Sequence, residues 1–274
     1  MLANARLSEK SARGYARVPW LARWAFANLA GIAAQGSDDA ARLTAVGARP
    51  PAVLGNVKFD LAVPEAMVEK GRRFRESFGT ARRVWVAGST REGEETLLLD
   101  ALGDPSVPRD ALLVLVPRHP QRFDEVARLA AERGHAPARR SAGAVVAADT
   151  RVLVGDSMGE MLAYYAAADV VIVGGSLLAF GGQNLIEACA LGRPVIVGPH
   201  TYNFDEAARG AVAAGAARRV RDAREALSAA AELSADEAQR REMGARGREF
   251  VAAHRGAVER LAAWIEETAA LSAR

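Results

Sequence analysis

Cysteine, histidine, long apolar runs and a surplus of either charge are all scarce in this 274-residue sequence, and each shortage removes a class of function. The one cysteine, Cys189, excludes an intrachain disulfide and any multi-cysteine zinc site. Flanked by Ala188 and Ala190, it reads as a small buried apolar residue rather than a nucleophile. The four histidines, His119, His135, His200 and His254, have no ligand spacing relative to one another, so no metal site is expected. No GxGxxG fingerprint or P-loop occurs, which disfavours NAD enzymes and NTPases. No apolar stretch approaches the roughly 20 residues that span a bilayer. Asn4, Arg6, Glu9, Lys10 and Arg13 interrupt the N-terminus before a signal-peptide core can form, so a cytoplasmic chain is expected. With 36 Lys+Arg against 33 Asp+Glu, the net charge is only +3. That surplus is too dilute for a nucleic-acid footprint, and no nucleic-acid partner is expected.

What the sequence does hold is an ordinary globular composition, 50% hydrophobic and 25% charged, which argues against disorder and low complexity. At about 150 residues per domain, the length fits one large domain or one and a fraction. In the first fifty residues Trp20, Leu21, Trp24, Phe26, Leu29 and Ile32 recur at helical spacing. Such a stripe needs cover, and two readings fit it: packing on its own domain, or a helix that belongs to a missing domain or a membrane surface. From about Ala52 the pattern changes to short β-rich runs at 52–54, 84–87, 112–116, 152–154, 170–173 and 195–197, each followed by glycine or proline. Longer helical segments separate them, and the tail from Asp222 to Ser272 is helical, with breaks expected near Ser234, Gly244 and Gly256. This alternation predicts an α/β fold with a parallel sheet covered on both faces. Right-handed crossovers then gather the loops that follow the strands at the carboxyl edge, where open α/β sheets bind ligands.

Four polar segments sit at those strand ends. In Gly88-Ser89-Thr90-Arg91-Glu92-Gly93-Glu94-Glu95, small residues allow close backbone approach, and the hydroxyls can cap the next helix. A plain helix cap and an anion site both fit it, and Glu94 and Glu95 suit the helix dipole in either case. In Pro117-Arg118-His119-Pro120-Gln121-Arg122, prolines stiffen a loop that presents the Arg118 fork to a phosphate or carboxylate. In Gly155-Asp156-Ser157-Met158-Gly159-Glu160, Asp156 or Ser157 is expected to N-cap the following helix. The densest segment runs from Gly174 to Glu187, with the glycine pairs Gly174-Gly175 and Gly181-Gly182. Asn184 and Glu187, three residues apart, are expected on one helical face, so that an amide and a carboxylate reach the same sugar hydroxyls. A flexible loop without a ligand is the other reading of this segment.

In this order, and with Asn4-Ala5-Arg6-Leu7-Ser8 and Gly55-Asn56-Val57-Lys58-Phe59-Asp60 before them, the motifs resemble the donor-binding half of the lipid A Kdo (3-deoxy-D-manno-octulosonic acid) transferases. These are glycosyltransferases of the GT-B type. The resemblance runs from about Asn4 to His254 and implies a Rossmann-like, doubly wound parallel sheet, the C-terminal domain of a GT-B fold. It implies a helical remnant of an incomplete N-terminal acceptor domain at 1–50, a nucleotide-sugar domain at 51–254 and a C-terminal helix at 255–274. It further implies inverting transfer of Kdo from CMP-Kdo to a lipid A precursor in lipopolysaccharide core biosynthesis, with no metal and no cofactor beyond the donor. The donor site would comprise Ser89, Thr90, Arg118, His119, Asp156, Ser157, Met158, Gly159, Glu160, Gly181, Gly182, Asn184 and Glu187, with Arg118 on the CMP phosphate. Asn4, Arg6 and Ser8 would lie on the acceptor side or cleft. The family's usual histidines are Arg91 and Gln183 here, and its usual proline is Ala188. No catalytic base is assigned within the chain, so the chain is expected to bind CMP or CMP-Kdo but to transfer little alone. The resemblance also implies a cytoplasmic location at the inner-membrane face and a peripheral membrane contact. Two other readings are a GT-B-like nucleotide-sugar epimerase and a non-catalytic nucleotide-binding module that pairs with a separately encoded acceptor domain.

Overall fold

The computed structural model describes residues 1–143 and 146–272. In chain order its elements are β1 (Leu2–Ala5), α1 (Glu9–Tyr15), α2 (Pro19–Ala27), β2 (Ile32–Ala34), α3 (Ser37–Ala45), β3 (Ala52–Val53), α4 (Glu65–Phe78), β4 (Val84–Thr90), α5 (Glu94–Leu102), β5 (Leu112–Pro117) and α6 (Phe123–Glu132). They continue with β6 (Ala138–Arg139), β7 (Val152–Val154), α7 (Met161–Ala167), β8 (Val170–Val173), α8 (Ile186–Ala190), β9 (Val195–Val197), α9 (Asp205–Ala213), β10 (Ala217–Arg219), α10 (Ala223–Ala235), α11 (Glu237–Ala253) and α12 (Ala257–Ser272). Contacts divide the chain into two compact units, one of Met1–Leu61 with the segment from Val251 onward, the other of Ala62–Phe250.

The smaller unit is not helical throughout, the form the sequence suggests. Its centre is a parallel sheet of order β1-β2-β3, over a core of Ala5, Leu7, Ile32, Leu43 and Val46. The buried Asp39 carboxylate accepts the Leu7 amide at 2.9 Å and pairs with Arg42 at 2.9 Å, tying α3 to the end of β1. The boundary expected at residue 50 moves, because Ala52 and Val53 pair with Ala33 and Ala34. The C-terminal helix also belongs to this unit. Asp60 accepts the Gly256 and Val258 amides at 2.5 and 2.6 Å, capping α12 from far along the chain, and Phe59 stacks on His254 with centroids 4.8 Å apart. Such long-range contacts leave no trace in periodicity. The apolar stripe also divides: α2 stops at Ala27, and Ile32 lies in β2. Ala22 is the one buried residue of α2, whereas Trp20 and Trp24 are 72% and 66% exposed.

The larger unit holds a seven-stranded, all-parallel sheet of order β10-β9-β8-β4-β5-β7-β6. Successive strand residues alternate between faces, and both faces are buried, which is why the runs read as continuous β-branched and leucine segments. On one face Trp85, Leu113 and Ile172 pack with Leu98 of α5, Val126 of α6 and Leu227 of α10. On the other, α7 packs against β4 and α4 against α7. The chain runs from β4 outward through β5, then returns to place β8 on the far side of β4. The switch point therefore lies between β4 and β8, and the crevice there is where such sheets bind ligands. Edge strands β6 and β10 have two and three residues, too short for a periodic signal. The break expected near Gly244 is absent. α11 continues through it, and the missing side chain there makes room for the Gly192 backbone.

Candidate functional site

At the carboxyl edge the turn after β4 is fixed by buried carboxylates. Ser89 adopts a left-handed conformation, φ 56°, one of two non-glycine residues that do so among the described residues; the other is Asn4. Thr90 is buried and its hydroxyl donates to Glu95 at 2.7 Å, and Arg122 reaches the same carboxylate at 2.8 Å. Burial pushes the Glu95 carboxyl above its usual value despite the bonds from Thr90 and Arg122. Glu94 accepts the amides of Arg91 at 2.9 Å, Gly175 at 2.6 Å and Leu177 at 2.9 Å. Neither Ser89 nor Thr90 caps α5, as the sequence allows; Gly93 occupies the N-cap position without a side-chain bond. Two carboxylates thus already occupy the positive end of α5.

One strand over, Thr90 and Pro117 are paired, so Arg91 and Arg118 leave the sheet side by side, and the Arg118 amide donates to Thr90 O at 3.0 Å. Arg118 and His119 are exposed, and their side chains have no hydrogen-bond or ionic partner among the described residues. The guanidinium of Arg118 is therefore available to an incoming anion.

The turn after β7 is a side-chain network. Asp156 accepts the Ser141 amide and hydroxyl at 2.8 and 2.6 Å and pairs with Arg139 at 2.7 Å. Burial opposes its ionisation, but these donors hold its carboxyl below the usual range. Glu160, likewise held low against burial, binds Lys70, Ser157 and Arg140. Tyr164 shares a 2.7 Å hydrogen bond with Ser157, and the Arg140 guanidinium lies 4.8 Å over the Phe74 ring. The expected cap by Asp156 or Ser157 is absent, because both side chains are bound within this network; Glu160 precedes α7 and makes no side-chain cap. Met158 is 62% exposed, and Gly159 faces open space.

The loop after β8 closes on itself through Gly182 N to Gly175 O at 2.6 Å and Gln183 N to Gly174 O at 3.0 Å. A Cβ on Gly174 would overlap the Ser89 carbonyl, so glycine is required where this loop crosses the β4 turn. Gly181 and Gly182 are buried, with Asn203 bonding Gly181 O and Phe180 O at 2.8 and 2.9 Å. Asn184 donates to Glu187 at 2.9 Å and accepts the Ile186 amide at 3.1 Å. The two residues do meet, but Asn184 precedes α8 rather than lying within it. Beyond this loop a cavity of about 360 Å³ is lined by His200, Thr201, Tyr202, Arg209 and Arg219, among others.

Of the residues singled out from the sequence, those from Ser89 to Glu187 all fall at one sheet edge, on the end of β4, on the loops and, for Glu187, in the first turn of α8. Asn4, Arg6 and Ser8 belong to the smaller unit, where Asn4 Oδ1 accepts the Val57 amide at 3.4 Å and Ser8 caps α1 through the Ser11 amide at 3.1 Å. Sequence reasoning missed Lys70, Arg139, Arg140 and Ser141, although a basic pair and a serine directly beside a short strand gave a signal. It also missed the stack of Arg91 over Phe180, 4.6 Å from the ring centroid. Cys189 is buried, and its thiol is pushed up to about 12 by that burial, as suits a packing residue. Among the described residues no three His, Cys, Asp or Glu side chains converge to hold a metal ion.

Residues 1–61 match the family description 3-Deoxy-D-manno-octulosonic-acid transferase (kdotransferase), and residues 139–250 match Glycosyl transferases group 1. A 3-deoxy-D-manno-octulosonic acid transferase of Bordetella pertussis is 49% identical over 94% of this chain and 61% of its own length. The Haemophilus influenzae protein of the same name is 35% identical over 95% of this chain and 62% of its own. The chain thus spans about three fifths of these relatives. Among solved structures, the C-terminal CMP-Kdo binding domain of WaaA from Acinetobacter baumannii superposes with a TM-score of 0.64 at 30% identity, covering 69% of this chain and 99% of that domain. Anabaena Alr3699/HepE in complex with UDP and glucose gives a TM-score of 0.60 at 15% identity, over 94% of this chain and 67% of that one, a likeness of fold.

Proposed function

The chain belongs to the 3-deoxy-D-manno-octulosonic acid (Kdo) transferase family, and from that premise we propose that its larger unit binds CMP-Kdo and supports inverting transfer of Kdo to a lipid A precursor. The observation that carries the reading is Arg118, a guanidinium without an acid partner at the end of β5. It stands between the turn that ends β4 and the turn that follows β7, next to the switch point. As the bond between the Kdo anomeric carbon and the phosphate oxygen breaks, CMP gains negative charge. A pre-placed guanidinium stabilises that charge more than it stabilises the bound donor. The chain's own acids fill the α5 N-terminus, so that helix end does not supply the positive charge.

A lipid acceptor calls for contact with a membrane surface, and no helix among the described residues is long and apolar enough to cross one. The exposed Tyr15, Val18, Trp20, Leu21 and Trp24, with Arg17 and Arg23 exposed between them and Arg13 exposed just before, suit a peripheral contact with anionic lipid at the inner-membrane face. Calorimetric titration of the chain with CMP, UMP and UDP-glucose tests the donor reading. CMP is expected to bind best, and Arg118→Ala to weaken it at least about ten-fold, the scale of one lost charge-assisted bond. A preference for UDP-glucose would overturn the assignment.

A further inference from the structure

The carboxyl edge of the large sheet carries several arginines, and most are occupied. Arg122 binds Glu95 and Glu125, Arg139 binds Asp124 and Asp156, Arg140 binds Glu160, and Arg219 donates to Gly198 O and Thr201. Arg91 and Arg118 alone at this edge lack an acid or carbonyl partner among the described residues. The acids nearest Arg91 are committed elsewhere: Glu94 to three backbone amides, Glu95 to Thr90 and Arg122. Four of the helices that follow these strands, α5, α6, α8 and α9, carry acids in their first turns, which weakens their dipoles toward an anion, whereas α7 carries none.

The two free guanidinium groups have different settings. Arg118 projects from β5 into solvent. Arg91, directly after the neighbouring strand, is half-buried, with its guanidinium carbon 4.6 Å from the ring centroid of Phe180 in the glycine-rich loop and Gln183 and Gly175 beside it. Their strands are paired at Thr90 and Pro117, so their backbones are about one strand spacing apart, roughly 4.8 Å. A CMP-activated ulosonic acid carries two negative charges at comparable separation, because its carboxyl carbon is bonded to the anomeric carbon whose oxygen joins the phosphorus. With the nucleoside toward β7 and the phosphate at β5, the sugar falls at the β4–β8 switch point, where Arg91 stands.

We infer that Arg91 binds the sugar carboxylate of the donor while Arg118 binds its phosphate, so that Arg91, held by Phe180, is the residue that selects an acidic sugar. The inference rests on the donor reading above and deepens it. The planar guanidinium can donate two parallel hydrogen bonds to a carboxylate through its free edge while it keeps its contact with the ring. Calorimetric titration of the full chain and its variants with CMP and with CMP-Kdo tests it. Arg91→Met should weaken CMP-Kdo about ten-fold while leaving CMP within two-fold. Arg118→Met should weaken both ligands alike, and Phe180→Leu should weaken CMP-Kdo alone and by less than Arg91→Met. Unchanged CMP affinity in the Arg91 and Phe180 variants also reports an intact fold. An Arg91→Met variant that loses both ligands equally, or neither, overturns the inference while CMP binding by the unaltered chain leaves the donor reading standing. If the unaltered chain binds neither ligand, the donor reading itself fails and takes the inference with it.

Discussion

The turn after β4 and the turn after β7 both bury carboxylates at one sheet edge, but they use them differently. Glu94 binds three backbone amides drawn from two loops, and so locks the β4 turn to the glycine-rich loop after β8. Asp156 and Glu160 bind mainly side chains, those of Arg139, Ser141, Lys70, Ser157 and Arg140, with the Ser141 amide as an added backbone donor. A backbone clamp fixes loop shape and leaves no donor to exchange, whereas a side-chain network can trade a serine or arginine for a ligand group. The β4–β8 side thus acts as a rigid frame around Arg91 and Arg118, and the β7 side as an adaptable wall. Strain follows the same division, since the left-handed Ser89 sits within the clamped turn.

Three substitutions sharpen or break this contrast. The largest effect is expected from Gly174→Ala, whose new Cβ meets the Ser89 carbonyl, a backbone atom that cannot swing aside. It should cost about 3 kcal/mol and lower the melting temperature accordingly; an unchanged melting temperature would show that the two loops are not clamped. Next is Glu94→Gln, which must point its NH2 at one of the three amides it faces. Urea unfolding should register a loss of about 2 kcal/mol, with CMP affinity falling in parallel as the frame loosens.

Smallest is Asp156→Asn, at about 1 kcal/mol near neutral pH. Its pH dependence carries a sign. Donors from Ser141 and Arg139 hold the Asp156 carboxyl low against the opposing effect of burial, so its contribution is complete above the unfolded-state value of about 4 and is lost as pH falls through the lower folded value. The difference in melting temperature between the native chain and Asp156→Asn should therefore close in acid. A gap that widens below pH 4 would mean that the network does not hold the charged form. Glu95 has the opposite sign: burial raises it, so protonation favours the folded chain as pH falls toward that value.

Much of the larger unit is legible in the sequence because its strands, buried on both faces, read as unbroken apolar runs ending in glycine or proline. The four polar segments follow those runs, so the sheet edge that carries them is legible too. The smaller unit is not. β1, β2 and β3 have two to four residues each and gain their identity from pairing and from α12, which Asp60 caps across nearly two hundred positions. Within the site, the roles of Thr90, Asp156 and Ser157 are misread as helix caps because local spacing shows which groups are near in sequence. Their partners Glu95, Arg139 and Tyr164 are set by packing. Arg91 is visible as a departure from the family pattern, but its place over Phe180 depends on the fold of the loop between Gly174 and Gln183.

The most direct measurement is a crystal structure of this chain with CMP. The phosphate is expected within hydrogen-bond distance of the Arg118 guanidinium, beside the Ser89–Thr90 turn. A phosphate seated instead in the cavity of His200 and Arg219, with Arg118 still free in solvent, would contradict it.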